Sequence, residues 1–210
     1  MIIELAGVSG VGKSTVMRAL IGVMRQNGVP GMSLDRVARR SQMSTAEAEA
    51  RCTERYRALF ELIRQGHKGQ LETLRALTVT WERAASADSE VIAVVDEGFV
   101  HRLAYLCAEL PPSVFDTALT LVPRANHLFV LEAPAEIATT RSIERRLPVA
   151  QAAAAAERAA TATLHQKVAD MLAQAVQVAT NSGARAWQID ATRRPRRTAK
   201  TILMHIDQTI

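Results

Sequence analysis

The sequence predicts an α/β fold, a doubly wound and mostly parallel sheet of about five strands. Three features of the chain predict it. Short apolar runs alternate with longer helical patterns from end to end, the order that gives parallel strands joined by crossover helices. The run Val91–Val95 is apolar without a break and is bounded by charges, as in a strand buried on both faces. The stretch GVSGVGKST follows the first apolar run directly and leads into a helical pattern. The 210 residues suit one domain over residues 1–210 with a sizeable core.

Taken in order, Ile2–Ala6 reads as a buried strand, Gly7–Gly12 as a turn, and KSTVMRALIGVMRQNG as a helix that stops near Asn27 and Gly28. Gly31–Asp35 reads as a second short strand, and the basic stretch DRVARRSQM after it as an irregular loop. STAEAEARCTERYRALFELIRQG opens on a capping box, Ser44 with Glu47, and reads as one helix. A further helix covers Gln70–Ala87, and Val91–Val95 is the third strand. FVHRLAYLCAEL reads as a helix ended by Pro111 and Pro112. His127–Pro134 is the fourth strand, followed by the helix AEIATTRSIERR. The alanine-rich run from Val149 to Thr180 is a strong helix former and reads as one long helix. Arg185–Asp190 is the fifth strand, and RPRRTAKTILMHIDQTI closes the chain as a helix. No internal repeat or linker interrupts this order.

Apolar residues make up 48% and charged residues 22%, ordinary values for a soluble globular chain. No apolar run approaches the roughly 18 residues that span a bilayer, and the start lacks the features of a secretory leader. Cys52 and Cys107 lie far apart, with no metal or redox spacing, so a reducing, cytoplasmic setting is expected. The net charge of +5 is unevenly spread, basic toward both ends and acidic in the middle. A basic excess suits a polyanionic partner, a nucleotide or a nucleic acid.

Gly7-x-x-x-x-Gly12-Lys13-Ser14 fits the Walker A pattern, with the strand before it and the helix after it that the pattern needs. Glycines let such a loop curl so that successive N–H groups, here over Gly7, Ser9, Gly10, Val11 and Gly12, converge on phosphate oxygens. The helix N-terminus adds its partial positive charge. Lys13 is placed to reach the β- and γ-phosphates, Ser14 to join the shell of a Mg²⁺ ion, and Thr15 to lie near the α-phosphate. Asp96 ends the apolar third strand, where an acid holds Mg²⁺ or assists proton transfer. Glu97 leaves the chain in another direction, so one acid would serve the metal and the other the acceptor. Arg141, Arg145 and Arg146 form R-x-x-x-R-R on one helix end. Converging guanidinium groups suit the charge spread over a transferring phosphoryl group. Pro148 would end that helix, leaving a short lid over approximately residues 141–150.

The order of the Walker A stretch, VVDEG, RSIERR and QIDATRRP resembles that of the P-loop nucleoside and nucleotide kinases, thymidylate-kinase-like members especially. The resemblance covers almost the whole chain. It implies ATP and Mg²⁺ as cofactors, a sheet ordered 2-3-1-4-5, Asp96 as the acid after the third strand, and Arg141, Arg145 and Arg146 as lid arginines. It also places Asp190, Ala191 and the residues to Arg194 beside the adenine, which Arg141 would cover. The chain departs from thymidylate kinases in carrying SLDRVARR and DEGFVHR where those enzymes carry Glu-Pro-Gly-Gly and Asp-Arg-aromatic stretches. The replaced residues make up a candidate acceptor site: Arg36, Arg39 and Arg40 for a phosphate, Phe99 for stacking on a base, and His101 and Arg102 in the pocket wall.

Three functions fit these residues. The first is transfer of the ATP γ-phosphate to a small nucleotide-like acceptor. The second keeps the chemistry and moves the acceptor hydroxyl to nucleic acid, at a 5′-end or on a hydroxymethylated base such as 5-hydroxymethyluracil. The third is an ATPase or NTP-binding switch, against which stands the lack of an Asn-Lys-x-Asp base reader. Dimerisation through the alanine-rich helix is a further expectation, and no membrane partner is expected.

Overall fold

The computed structural model describes residues 1–64, 68–87, 90–144 and 153–207. Five strands, β1 (Ile2–Ala6), β2 (Gly31–Ser33), β3 (Ile92–Val95), β4 (His127–Glu132) and β5 (Arg185–Asp190), form one sheet ordered β2-β3-β1-β4-β5. Every pairing is parallel. The order expected from the kinase resemblance is therefore the observed one. β1 lies at the centre with all five residues buried, whereas the edge strand β5 exposes residues on both faces. The strands' carboxyl ends, where open parallel sheets bind ligands, carry the glycine-rich turn after β1, Asp96 after β3 and Asp190 at the end of β5.

The helices are α1 (Lys13–Gln26), α2 (Leu34–Ala38), α3 (Thr45–Arg55), α4 (Arg57–Leu62), α5 (Lys68–Ala85), α6 (Phe99–Cys107), α7 (Pro112–Thr120), α8 (Ala135–Glu144), α9 (Ala153–Asn181) and α10 (Pro195–Asp207). α1 packs along α10, while α6 packs against α7 and α9. α2 and α3 both rest on α5. Among the described residues no helix is long and apolar enough to cross a membrane.

Several elements differ from the sequence expectation. The second strand stops at Ser33, and Leu34–Ala38 within the expected loop is helical, because Leu34, Val37 and Ala38 turn one apolar face inward. The capping box at Ser44 forms as expected, but the helix it starts breaks at Tyr56 (φ −104°, ψ 13°) into α3 and α4. The fully buried Tyr56 donates to Glu82 Oε1 at 2.7 Å, and Arg55 donates to the same oxygen at 2.8 Å. This pairing satisfies a buried carboxylate and fixes the break. Pro111 and Pro112 do not merely end a helix. Pro112 opens α7, where a missing N–H costs nothing. Of the expected lid, only residues 141–144 at the end of α8 are described; Arg145, Arg146 and Pro148 lie outside the described residues.

Phe99 is fully buried, 4.9 Å from Trp81 and 6.0 Å from Tyr56 between ring centroids. It is a core residue, so the expected stacking on a base is corrected: no face of the ring is open to a ligand. Replacing it removes that packing and leaves a cavity. Phe99→Ala is expected to lower the unfolding free energy by about 3–5 kcal/mol, measured as a shift of the urea midpoint at constant slope.

Candidate functional site

The loop after β1 is shaped by close approaches. A Cβ on Gly10 (φ +85°) would stand 2.0 Å from the Ala138 carbonyl oxygen of α8. The residue must therefore be glycine for α8 to sit on the loop. At the far end Gly12 takes a left-handed φ of +105° and its carbonyl accepts from Thr15 and Val16, which starts α1. Ser14 and Thr15 are exposed in this first turn. Lys13 is buried, and its Nζ donates to the Gly7 carbonyl at 2.9 Å and the Val8 carbonyl at 3.2 Å. The ammonium is thus held within the curl of the loop. Ser9 donates its N–H to the Tyr105 hydroxyl at 2.7 Å, and its Oγ accepts from Ser142 Oγ at 3.0 Å.

Tyr105 belongs to α6, and α6 is fixed at its start by β1. Gly98 offers no side-chain cap. In its place the Glu4 carboxylate accepts the His101 N–H at 3.0 Å and faces the N–H groups of Phe99 and Val100. A Cβ on Gly98 would come within 2.5 Å of Glu4 Cδ, so this approach also needs glycine. Burial pushes the Glu4 carboxyl up to about 7, against the lowering effect of the three N–H groups. His101 is buried beside it, with its ring 4.9 Å from Tyr105 and its Nε2 3.9 Å from Glu97 Oε1. Burial, then the charges of Lys13 and Arg102, hold its pKa well below the ordinary value, so His101 is neutral. Arg102, the next residue, pairs with Glu97 Oε2 and reaches Gln70 Oε1 at 3.5 Å.

Two clefts open at the carboxyl edge of the sheet. One, of about 250 Å³, lies at the ends of β2 and β3 and is lined by Met17, Asp35, Thr80, Asp96, Glu97 and Arg102 among others. The other, of about 480 Å³, lies at the ends of β4 and β5 and brings Val8 of the loop together with Glu132, Asp190 and Thr192. Asp190 accepts from Thr192 N at 2.9 Å and Arg193 Nε at 3.1 Å, and bonds to the Thr192 hydroxyl first of all hold its pKa below the usual value. Ala191 is buried and donates to the Glu132 carbonyl at 2.8 Å, tying the end of β5 to β4.

The expected site residues thus separate. Asp96, Glu97 and Arg102 share the first cleft. Asp190 lies with the loop at the second. His101 backs the first cleft, buried behind Glu97. Arg36, Arg39 and Arg40 are exposed on and just after α2, and the lining of the cleft includes none of them; Asp35 lines it in their stead. Arg141 is exposed on α8. Sequence reasoning missed Glu4, Tyr105, Ser142 and Asp35. Glu4 carried a signal, the one charge inside a strand that is otherwise apolar. Tyr105 and Ser142 carried none, because their partner Ser9 is distant in the chain. Among the described residues no group of three or more His, Cys, Asp or Glu is arranged to hold a metal alone. The hydroxyl of Ser14 and the carboxylate of Asp96 supply only hard oxygen donors, a set that fits Mg²⁺, which keeps waters and takes phosphate oxygens for the rest.

Protein-family profiles and curated protein sequences give no match to this chain. Solved structures do. The chain is similar to deoxyadenosine kinase from M. mycoides with dCMP and a flexible dCDP bound, at 13% identity over 99% of this chain and 100% of that one, with a TM-score of 0.58. The structures of that enzyme with dATP and with dCTP match at 15% and 12% identity over 99% of this chain, with TM-scores of 0.56 and 0.53. The likeness shows the fold: a five-stranded parallel sheet ordered 2-3-1-4-5 and flanked by helices, as in these P-loop kinase structures.

The raised Glu4 pKa makes a signed prediction. Below its unfolded value of about 4.5 the carboxyl is protonated in both states. Between there and about 7 the unfolded chain gives up the proton that the native state keeps, so stability falls as pH rises, by about 3 kcal/mol in all. The depressed His101 contributes the opposite slope below 6.5. The difference between wild type and Glu4→Gln isolates the Glu4 part. Denaturant titrations from pH 4 to 8 are expected to show the stability of wild type relative to the variant declining over that window and level above it.

Proposed function

We propose that the chain is an ATP-dependent phosphotransferase that moves the γ-phosphoryl group to a hydroxyl of a small nucleoside-like acceptor. The observation that carries this reading is the position of the cleft holding Asp96, Glu97 and Arg102 at the same sheet edge as the glycine-rich loop with its buried Lys13. The fold shared with nucleoside kinases supports it. In this reading the loop N–H groups and Lys13 hold the donor phosphates, and the donor base lies toward Asp190 and Ala191. Ser14 and Asp96 are the residues that would hold Mg²⁺, which when bound neutralises charge on the phosphates. Glu97, oriented by Arg102, accepts the proton of the attacking hydroxyl. Arg141, together with Arg145 and Arg146, stabilises the charge of the in-line transition state.

The charge of the cleft bears on the acceptor. Asp35, Asp96 and Glu97 line it against one arginine, which Glu97 already pairs. Such a wall repels a second phosphate and favours an acceptor without one. A nucleoside therefore fits better than the nucleotide expected from the arginines of DRVARR.

Transfer of labelled γ-phosphate from ATP with Mg²⁺, offered to a panel of nucleosides and nucleoside monophosphates, tests the reading. Label is expected on a nucleoside hydroxyl; release of free phosphate alone, whatever the acceptor, would refute a kinase. Lys13→Ala is expected to abolish transfer with an unchanged circular dichroism spectrum. Glu97→Gln is expected to lower kcat by about 10²-fold or more with ATP binding retained, measured by single-turnover transfer and by titration with labelled ATP.

A further inference from the structure

We propose that the outer face of α1 and α10 is a polynucleotide-binding surface. The chain has no acidic residue from Leu5 to Leu34, nor between Asp190 and Asp207. These two stretches are distant in sequence, and the fold packs their helices side by side, linked by Arg196 Nη2 donating to Gln26 Oε1 at 2.8 Å. Arg18 and Arg25 on α1, Arg194 before α10, and Arg196, Arg197 and Lys200 on it are all exposed. None of these six is in a salt bridge among the described residues; the nearby Asp190 is paired with Arg193.

The placement works against the helix that carries it. No acid stands in the first turn of α10, and arginines crowd its N-terminus, where the helix dipole favours negative charge. Stability alone would choose the opposite sign there, and a bound polyanion would relieve the conflict. The face also has a direction. Ser14, Arg18 and Arg25 lie at positions i, i+4 and i+11, on one stripe of α1 about 16 Å long, the rise of roughly five nucleotides along one strand. That stripe starts at the phosphate loop, beside Met17 in the wall of the β2–β3 cleft.

The chemistry selects phosphodiesters over other anionic surfaces. Five of the six cations are arginines, whose planar forks grip phosphate. The α10 side exposes one large apolar residue, Met204, so it lacks the apolar face with which a helix lies on a membrane. The surface stands outside the clefts, and binding to it does not depend on the phosphotransferase reading.

The test is fluorescence anisotropy with labelled 20-nucleotide single-stranded and duplex DNA, without ATP, from 50 to 200 mM salt. Binding is expected to weaken steeply with salt, with a slope of about −4 to −5 in log K against log salt. The combined variant Arg18→Ala, Arg197→Ala and Lys200→Ala is expected to bind at least tenfold more weakly, with the slope reduced by about 2–3, and to keep wild-type ATP turnover. Arg197→Glu alone is expected to weaken binding while raising Tm, a combination that a merely structural arginine would not give. Lys13→Ala, which removes the proposed chemistry, should bind DNA nearly as wild type does. No DNA binding at 50 mM salt, an unchanged slope in the triple variant, or binding to phosphatidylserine vesicles in place of DNA would each overturn the proposal.

Discussion

The site depends on one buried carboxylate. Glu4 sits in the middle of the central strand, where every neighbour is apolar, and it can stay there only because three N–H groups of α6 converge on it. Burial of an unsatisfied acid would cost several kcal/mol. The bond therefore works in both directions: α6 satisfies Glu4, and Glu4 caps a helix that has no cap of its own. Once the start of α6 is fixed, the rest of that helix is placed to the register of a turn. His101 lies against the glycine-rich loop, Arg102 holds Glu97 in the β2–β3 cleft, and Tyr105, one turn on, accepts from Ser9. A single helix thus braces both the loop and the carboxylate that the proposed transfer brings together.

The second constraint is close packing around the loop. Gly10 admits the backbone of α8 to a distance no side chain would allow, and Ser142 then reaches Ser9. α8 is held in turn against α9, where Thr139 Oγ1 lies 3.1 Å from His165 Nδ1. Arg141, the first of the proposed lid arginines, is carried on this same helix. Loop shape, α8 and the start of the proposed lid form one packed unit.

Much of this was legible along the chain. Strand and helix order, the parallel sheet and the long alanine-rich helix follow from periodicity and propensity, which are local properties. The glycine-rich turn was legible because its glycines, lysine and hydroxyls are contiguous, and the place of Asp96 at the sheet edge because it ends an apolar run. The break at Tyr56 was not legible, since the amphipathic pattern runs through it and its cause is Glu82 on another helix. α7 was hidden behind a proline pair that reads equally as a stop and as a start. Phe99 looked available because it follows a turn; only the packing of Tyr56 and Trp81 around it shows that it is core.

The sequence by itself determined the fold class and the glycine-rich turn after the first strand, because backbone curvature, glycine placement and strand burial are written in neighbouring residues. Tertiary structure alone decided which side chains meet. It took Arg36, Arg39 and Arg40 off the lining of the cleft that Asp35 enters, set His101 behind Glu97, and joined two acid-free stretches into one basic face. The physical reason is that charge and contact are properties of distance in space. Residues far apart in the chain acquire a distance only when the sheet orders the strands and the core sets the helices on them.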